Sequence, residues 1–199
     1  MFSLDGVCMT TEIVLASGSS YRAELLHRLG LTFTRHSPDI DEQAQAGESP
    51  SELALRLAQE KALAIAAHHP KALVIGSDQV ASLKGEPLGK PGTVKRACEQ
   101  LAACSGESVT FYTGLCVTGL GQTDSLVDTY TVTFRQLSAS QIKRYVEKEL
   151  PLDCAGSFKM EGLGISLFEK LEGNDPNTLI GFPLINLTTL LNKRGITIP

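Results

Sequence analysis

Leu73-Val74-Ile75-Gly76-Ser77-Asp78-Gln79 decides the fold. Three apolar residues in a row read as a strand buried on both faces, and the polar residues after them mark its carboxyl end, where open α/β sheets carry ligands. Asp78 has two readings there: a carboxylate hydrogen-bonded within a turn, or one placed for chemistry. Its position at a strand end beside glycine and serine favours the second.

Working upstream, Glu12 to Ala16 reads as a short buried strand, Ser17-Gly18-Ser19-Ser20 as a polar turn, and Tyr21 to Leu29 as a helix stopped by Gly30. Such a turn aims N–H groups and hydroxyls over a helix N-terminus whose dipole favours an anion; alternatively, the serines simply cap the helix. Thr32 to Ser37 is expected as a second strand, and Pro38-Asp39-Ile40-Asp41-Glu42 opens an acidic loop. Ser49-Pro50-Ser51-Glu52 is a capping box with proline at the first helical position, and its helix is expected to reach about His68. Leu53, Leu57, Leu63 and Ala64 form its apolar stripe, which leaves Glu60 and Lys61 on another face, where a lysine is ordinarily solvated.

Downstream, Gly85 to Lys90 resembles a phosphate loop only superficially, since its glycine spacing is one residue short and Pro91 replaces the Ser/Thr that would hold magnesium. Lys90 can still meet a phosphate as a point charge. Thr93 caps a helix to about Ala103, and Val109–Thr118 with Leu126–Arg135 alternate as an antiparallel hairpin around Gly119–Gly121. Ser138-Ala139-Ser140-Gln141 is a second capping box, for a helix that Pro151 ends. Ile165 to Phe168 is expected as a late strand, 172–177 as a loop, and Pro183 to Asn192 as the last helix. In Cys154-Ala155-Gly156-Ser157-Phe158-Lys159-Met160-Glu161-Gly162, charges stand beside glycines where a packed core has no use for them.

These elements predict an α/β fold: a mixed, twisted central sheet flanked by helices, with two lobes around a cleft. The 199 residues, 42% hydrophobic, suffice for one domain over 12–199, and residues 1–11 read as an N-terminal extension within which Met9 is a candidate start. A net charge of −4 without a dense Lys/Arg run argues against nucleic acid as a partner. The apolar run Ile13–Ala16 is too short for a signal or membrane segment. Five scattered cysteines without a Cys-x-x-Cys pair argue against a disulfide framework or zinc site and fit a reducing cytoplasm. His68-His69 reads as a helix terminus rather than a metal site, and Cys154 as a packing residue rather than a nucleophile.

Taken in order, the serine turn with Arg22, the Asp41-Glu42 loop, Glu60-Lys61-Ala62, Gly76-Ser77-Asp78-Gln79, Leu88-Gly89-Lys90-Pro91 and Asn177-x-x-x-Gly181-Phe182-Pro183 resemble the Maf family of nucleoside triphosphate pyrophosphatases, with a Maf/ITPase-like fold. Gln79-Val80 after the aspartate, Phe111-Tyr112-Thr113-Gly114, and the Cys154–Gly162 motif with Glu161 resemble the branch acting on 7-methyl-GTP. A dTTP/UTP-type or broader specificity is the alternative within the family. A nucleotide-binding regulator of septum formation is the alternative of another class. The chain departs from the family at Ser20, where the motif commonly has proline.

The resemblance implies Asp78 as the proton acceptor, Tyr21, Gln79 and Glu161 as substrate-selecting residues, and Ser17, Arg22, Lys61 and Lys90 as phosphate ligands. Lys159 either contacts phosphate or balances Glu161. A divalent cation, Mg²⁺ or Mn²⁺, has Glu42 and Asp78 as candidate ligands, and a homodimer is expected by resemblance.

Overall fold

The computed structural model describes residues 11–198, so Cys8, Met9 and nearly all of the expected N-terminal extension lie outside the described residues. Among the described residues seven strands form one mixed sheet: β1 (Ile13–Ala16), β2 (Thr34–His36), β3 (Leu73–Leu83), β4 (Glu86–Leu88), β5 (Ser108–Gly119), β6 (Gln122–Phe134) and β7 (Phe168–Gly173). Their order is β2-β1-β3-β5-β6-β7, with β4 on β3. The β1 pairings with β2 and β3 are parallel and the others antiparallel. Six helices accompany them: α1 (Ser20–His27), α2 (Pro50–Ala66), α3 (Val94–Cys104), α4 (Ala139–Glu149), α5 (Asn177–Ile180) and α6 (Leu184–Lys193). Among the described residues no helix is long and apolar enough to cross a membrane.

The period of two along the strands sorts the core into two faces. Ile13, Leu15, Leu73, Ile75, Leu115 and Val117 pack against α1 and α6, whereas Val14, Ala16, Val74 and Cys116 pack against Ala58 and Ala62 of α2. The far halves of β3, β5 and β6 carry a second core, in which Phe111, Phe134, Phe158 and Phe168 meet edge to face under α3 and α4. These two packing regions are the two lobes.

Both capping boxes form: Ser49 with Glu52 opens α2 and Ser138 with Gln141 opens α4. Thr93 caps α3, and the β5–β6 hairpin turns at Leu120 and Gly121, both at positive φ as a two-residue turn demands. Three expectations change. Gly76–Gln79 do not end the strand, since β3 continues unbroken to Leu83 along β5. The late strand begins at Phe168 after a 3-10 stretch over Leu163–Leu167. On α2 the buried stripe is Leu53, Ala54, Leu57, Ala58, Lys61 and Ala62, while Leu63 is exposed. Lys61 thus belongs to the core face, in the i, i+4, i+8 series from Leu53, and is not solvated surface.

The approach of α2 to the sheet is set by two glycines. A Cβ on Gly76 would run into the carbonyl of Ala58 and lie 2.8 Å from Ala62 Cβ, and one on Gly114 would run into the carbonyl of Ala54. Gly114 is the register partner of Asp78. We expect Gly114→Ala to lift α2 and lower stability by about 1–3 kcal/mol, a fall of several degrees in Tm measured by thermal unfolding.

Candidate active site

The parallel ladder between β1 and β3 stops at Ala16↔Gly76, and β4 rejoins that same edge only at Leu88↔Ala81. Between these points, among the described residues, Ser77 to Val80 have β5 on one side and no strand on the other. The chain leaving β1 through Ser17 and the chain leaving β4 through Gly89 and Lys90 flank this gap, and a cleft of about 710 Å³ opens there. Its walls include all ten residues singled out in the sequence: Ser17, Tyr21, Arg22, Glu42, Lys61, Asp78, Gln79, Lys90, Lys159 and Glu161.

Alternation along β3 sends Asp78 toward α2 and sends Ser77 and Gln79 to the opposite face. Asp78 is buried, and its Oδ1 accepts from Lys61 Nζ at 2.6 Å; the same ammonium lies 2.6 Å from Glu42 Oε1. The loop bearing Glu42 is tied to α2 by Arg56, which donates to the carbonyl of Gln43 and pairs with Glu48 at 2.6 Å. Partial burial pushes the Glu42 carboxyl up, but Lys61 beside it, with Lys90 and Arg22 further off, brings it below its ordinary value on balance. Among the described residues every buried side-chain polar atom is partnered. Among the described residues Asp78 Oδ2 takes no hydrogen bond, and Asp78 lines the cleft.

This donor set bears on the expected divalent cation. Among the described residues no group of three or more His, Cys, Asp or Glu is arranged to hold a metal. A two-carboxylate site completed by substrate phosphate is nevertheless the usual habit of Mg²⁺. Lys61 uses one oxygen of each carboxylate, leaving Glu42 Oε2 and Asp78 Oδ2 as the fitting ligands.

On the opposite face of β3, Arg22 Nε donates to the carbonyl of Gly181 at 2.9 Å, an oxygen that also accepts from Ser77 Oγ. Burial pushes the Arg22 guanidinium down, and Asp78 and Glu42 act against that shift. Ser17 is buried, and its hydroxyl accepts from the Ser19 N–H at 3.1 Å and from Arg22 at 3.4 Å. Ser19 supplies the helix cap, so the serine turn divides its labour: one serine caps α1 and another faces the cleft. Gln79 Nε2 donates to the carbonyls of Thr178 and Leu179, so its nitrogen is spent on docking α5. Thr178 is anchored from behind by the buried Asp128.

A second group of side chains lines the cleft around Tyr21. Tyr21, Asp153, Cys154 and Glu161 line it together. The Tyr21 phenol is pushed up to about 12, first by burial and then by Cys154, Asp153 and Glu161, so it stays neutral. The Cys154 thiol is likewise pushed up to about 12 by burial and by Asp153, which suits a packing and hydrogen-bonding group rather than a nucleophile. Lys159 Nζ lies 3.4 Å from the carbonyl of Glu149 and makes no ion pair with Glu161 among the described residues. Asp153 is the addition that the sequence did not mark, because one aspartate before a cysteine looks like any surface charge.

Two outcomes follow. Lys61→Met leaves the buried Asp78 without its cation and should cost about 3–5 kcal/mol in urea unfolding at neutral pH, with part recovered in the double variant with Asp78→Asn. The depressed Glu42 carboxyl adds stability above its ordinary value of 4.5 that is lost as pH falls through its lower folded value. The stability difference between wild type and Glu42→Gln should therefore hold steady above pH 4.5 and shrink as pH falls below it in a series of unfolding curves.

The Maf-like protein profile matches residues 12–194. A 7-methyl-GTP pyrophosphatase of Pseudomonas putida is 56% identical over 191 residues, covering 94% of this chain and 98% of that protein. Proteins of the same name from Alcanivorax borkumensis and Hahella chejuensis are 53% and 55% identical, covering 96% and 94% of this chain and 98% and 96% of their own. Among solved structures, the Ham1 protein of Staphylococcus aureus matches with a TM-score of 0.55 at 17% identity, covering 92% of this chain and 100% of that one, a likeness of fold. With the profile spanning both lobes and the cleft between them, the chain belongs to the Maf family.

Proposed function

We propose that this protein hydrolyses 7-methyl-GTP to 7-methyl-GMP and pyrophosphate. The observation that carries the reading is one cleft in which Arg22, Lys61 and Lys90 gather around Glu42 and Asp78, while Asp153 and Glu161 stand close enough to Tyr21 to act on its phenol. Methylation at N7 makes guanine cationic, so this nucleotide has an anionic tail and a cationic head. The names of the 53–56% identical relatives support the same substrate.

In this reading the triphosphate lies across the open edge of β3 between the β1 and β4 pairings. Arg22 offers a forked contact and Lys61 and Lys90 point charges, with the Ser17 hydroxyl as a further donor. The Asp78 carboxylate orients a water on the α-phosphorus and takes its proton as the new O–P bond forms, while the bridging oxygen leaves with pyrophosphate. A divalent cation on Glu42 and Asp78 would add charge neutralisation of the phosphates. Glu161 accepts from the N1–H and amino group of the base, and Tyr21 gives a π face to its positive charge.

The test is a nucleotide panel with Mg²⁺, scored for pyrophosphate against single phosphate. Pyrophosphate from 7-methyl-GTP in preference to GTP is expected, and single-phosphate release would sink the reading. Asp78→Asn should retain nucleotide and lose about 10²–10⁴ in kcat. Glu161→Gln should narrow the preference for 7-methyl-GTP; an unchanged preference would remove Glu161 from selection.

A further inference from the structure

Gln100 stands on α3, behind the cleft, yet its side-chain amide touches two loops that line it. Nε2 donates to the carbonyl of Gly89, the residue before Lys90, at 3.0 Å, and Oε1 accepts from the Ser157 hydroxyl. The partners fix this orientation: a carbonyl can only accept, so the amide nitrogen faces Gly89 and the oxygen is left for Ser157. A parallel stitch joins the same loops, since the Gly92 N–H donates to the carbonyl of Leu152 at 2.9 Å.

The Ser157 end of this bridge is under conformational tension. Ser157 is fully buried and has φ +62, directly after Gly156 at φ +76. A side-chain-bearing residue stays in the left-handed region only where its surroundings over-determine it. Its hydroxyl bond to Gln100 is one such determinant, and the neighbouring Lys159 N–H, which donates to the Tyr145 hydroxyl at 3.0 Å, is another. From that turn the chain runs back to Cys154 beside Tyr21 and forward to Glu161.

We propose that Gln100 is a positioning residue that registers the Lys90 loop against the Cys154–Glu161 segment. One amide then sets the span between a cation that holds phosphate and a carboxylate that reads the base. The kinetic consequence rests on the proposed 7-methyl-GTP activity; the bridge itself does not.

The two bonds are separable. Gln100→Glu keeps an acceptor for Ser157 but sets oxygen against the Gly89 carbonyl. Ser157→Ala removes the other bond and leaves Gly89 held, and Gln100→Leu removes both. Amide hydrogen exchange of the ligand-free full chain, read over 86–92 and 153–162, is paired with steady-state kinetics on 7-methyl-GTP and GTP. Gln100→Leu should speed exchange in both segments and lower kcat/KM for 7-methyl-GTP by about tenfold. Gln100→Glu should speed exchange over 86–92 alone and raise KM for both nucleotides alike. Ser157→Ala should speed it over 153–162 alone and narrow the preference for the methylated base. Wild-type exchange in Gln100→Leu, or a uniform loss of Tm and kcat/KM in all three variants without this split, would overturn the proposal. A wild type that turns over neither nucleotide would sink the activity, while the exchange pattern would still decide for or against the bridge.

Discussion

The ammonium of Lys61 lies 2.6 Å from Glu42 Oε1 and 2.6 Å from Asp78 Oδ1, and the rest of the site is built around keeping it there. A lysine on the core face of a helix is expensive to desolvate, and it stands only because two carboxylates from separate parts of the chain meet it. That meeting requires α2 to lie close on the sheet, which Gly76 and Gly114 permit by presenting no side chain to the carbonyls of Ala58 and Ala54. It also requires the Glu42 loop to be held, and Arg56 does this from the same helix. Packing and electrostatics are here one constraint: the small residues set the distance, and the charges make use of it.

Local signals were legible in the chain. Ser49 with Glu52, Thr93, and Ser138 with Gln141 mark helix starts because a cap is a contact between residues three apart, and the β5–β6 hairpin declares itself through alternation around Gly119–Gly121. The residues expected at a site line one cleft. What the sequence hid were places where a distant partner cancels a local cost. Ser77 and Asp78 read as a strand end because polar side chains usually face solvent, yet Gly181 and Lys61 satisfy them within β3. Lys61 read as surface for the same reason. Gln100 carries no local signal at all, since its two partners are 11 and 57 residues away.

The grouping of charges around the cleft also depends on topology rather than composition. Arg22 comes from the first helix, Lys61 from the second and Lys90 from the turn after β4, whereas Asp153 and Glu161 belong to a single segment after α4. With a net charge of only −4, no global field separates them. The open stretch of the β3 edge receives Arg22 from the end of β1, Lys61 from α2 and Lys90 from the end of β4, so the grouping is made by chain crossings at that edge. Gly181, whose carbonyl receives both Ser77 and Arg22, fastens the cationic flank to the sheet.

β3 and β5 pair without interruption from Val74↔Thr118 to Leu83↔Val109, and β6 follows β5 over its whole length. The lobes therefore share a continuous hydrogen-bonded plank instead of a flexible joint. Swinging one lobe against the other would have to bend that ladder, which stiffens the opening against closure. Preorganisation of this kind spares a guest the cost of jaw closure.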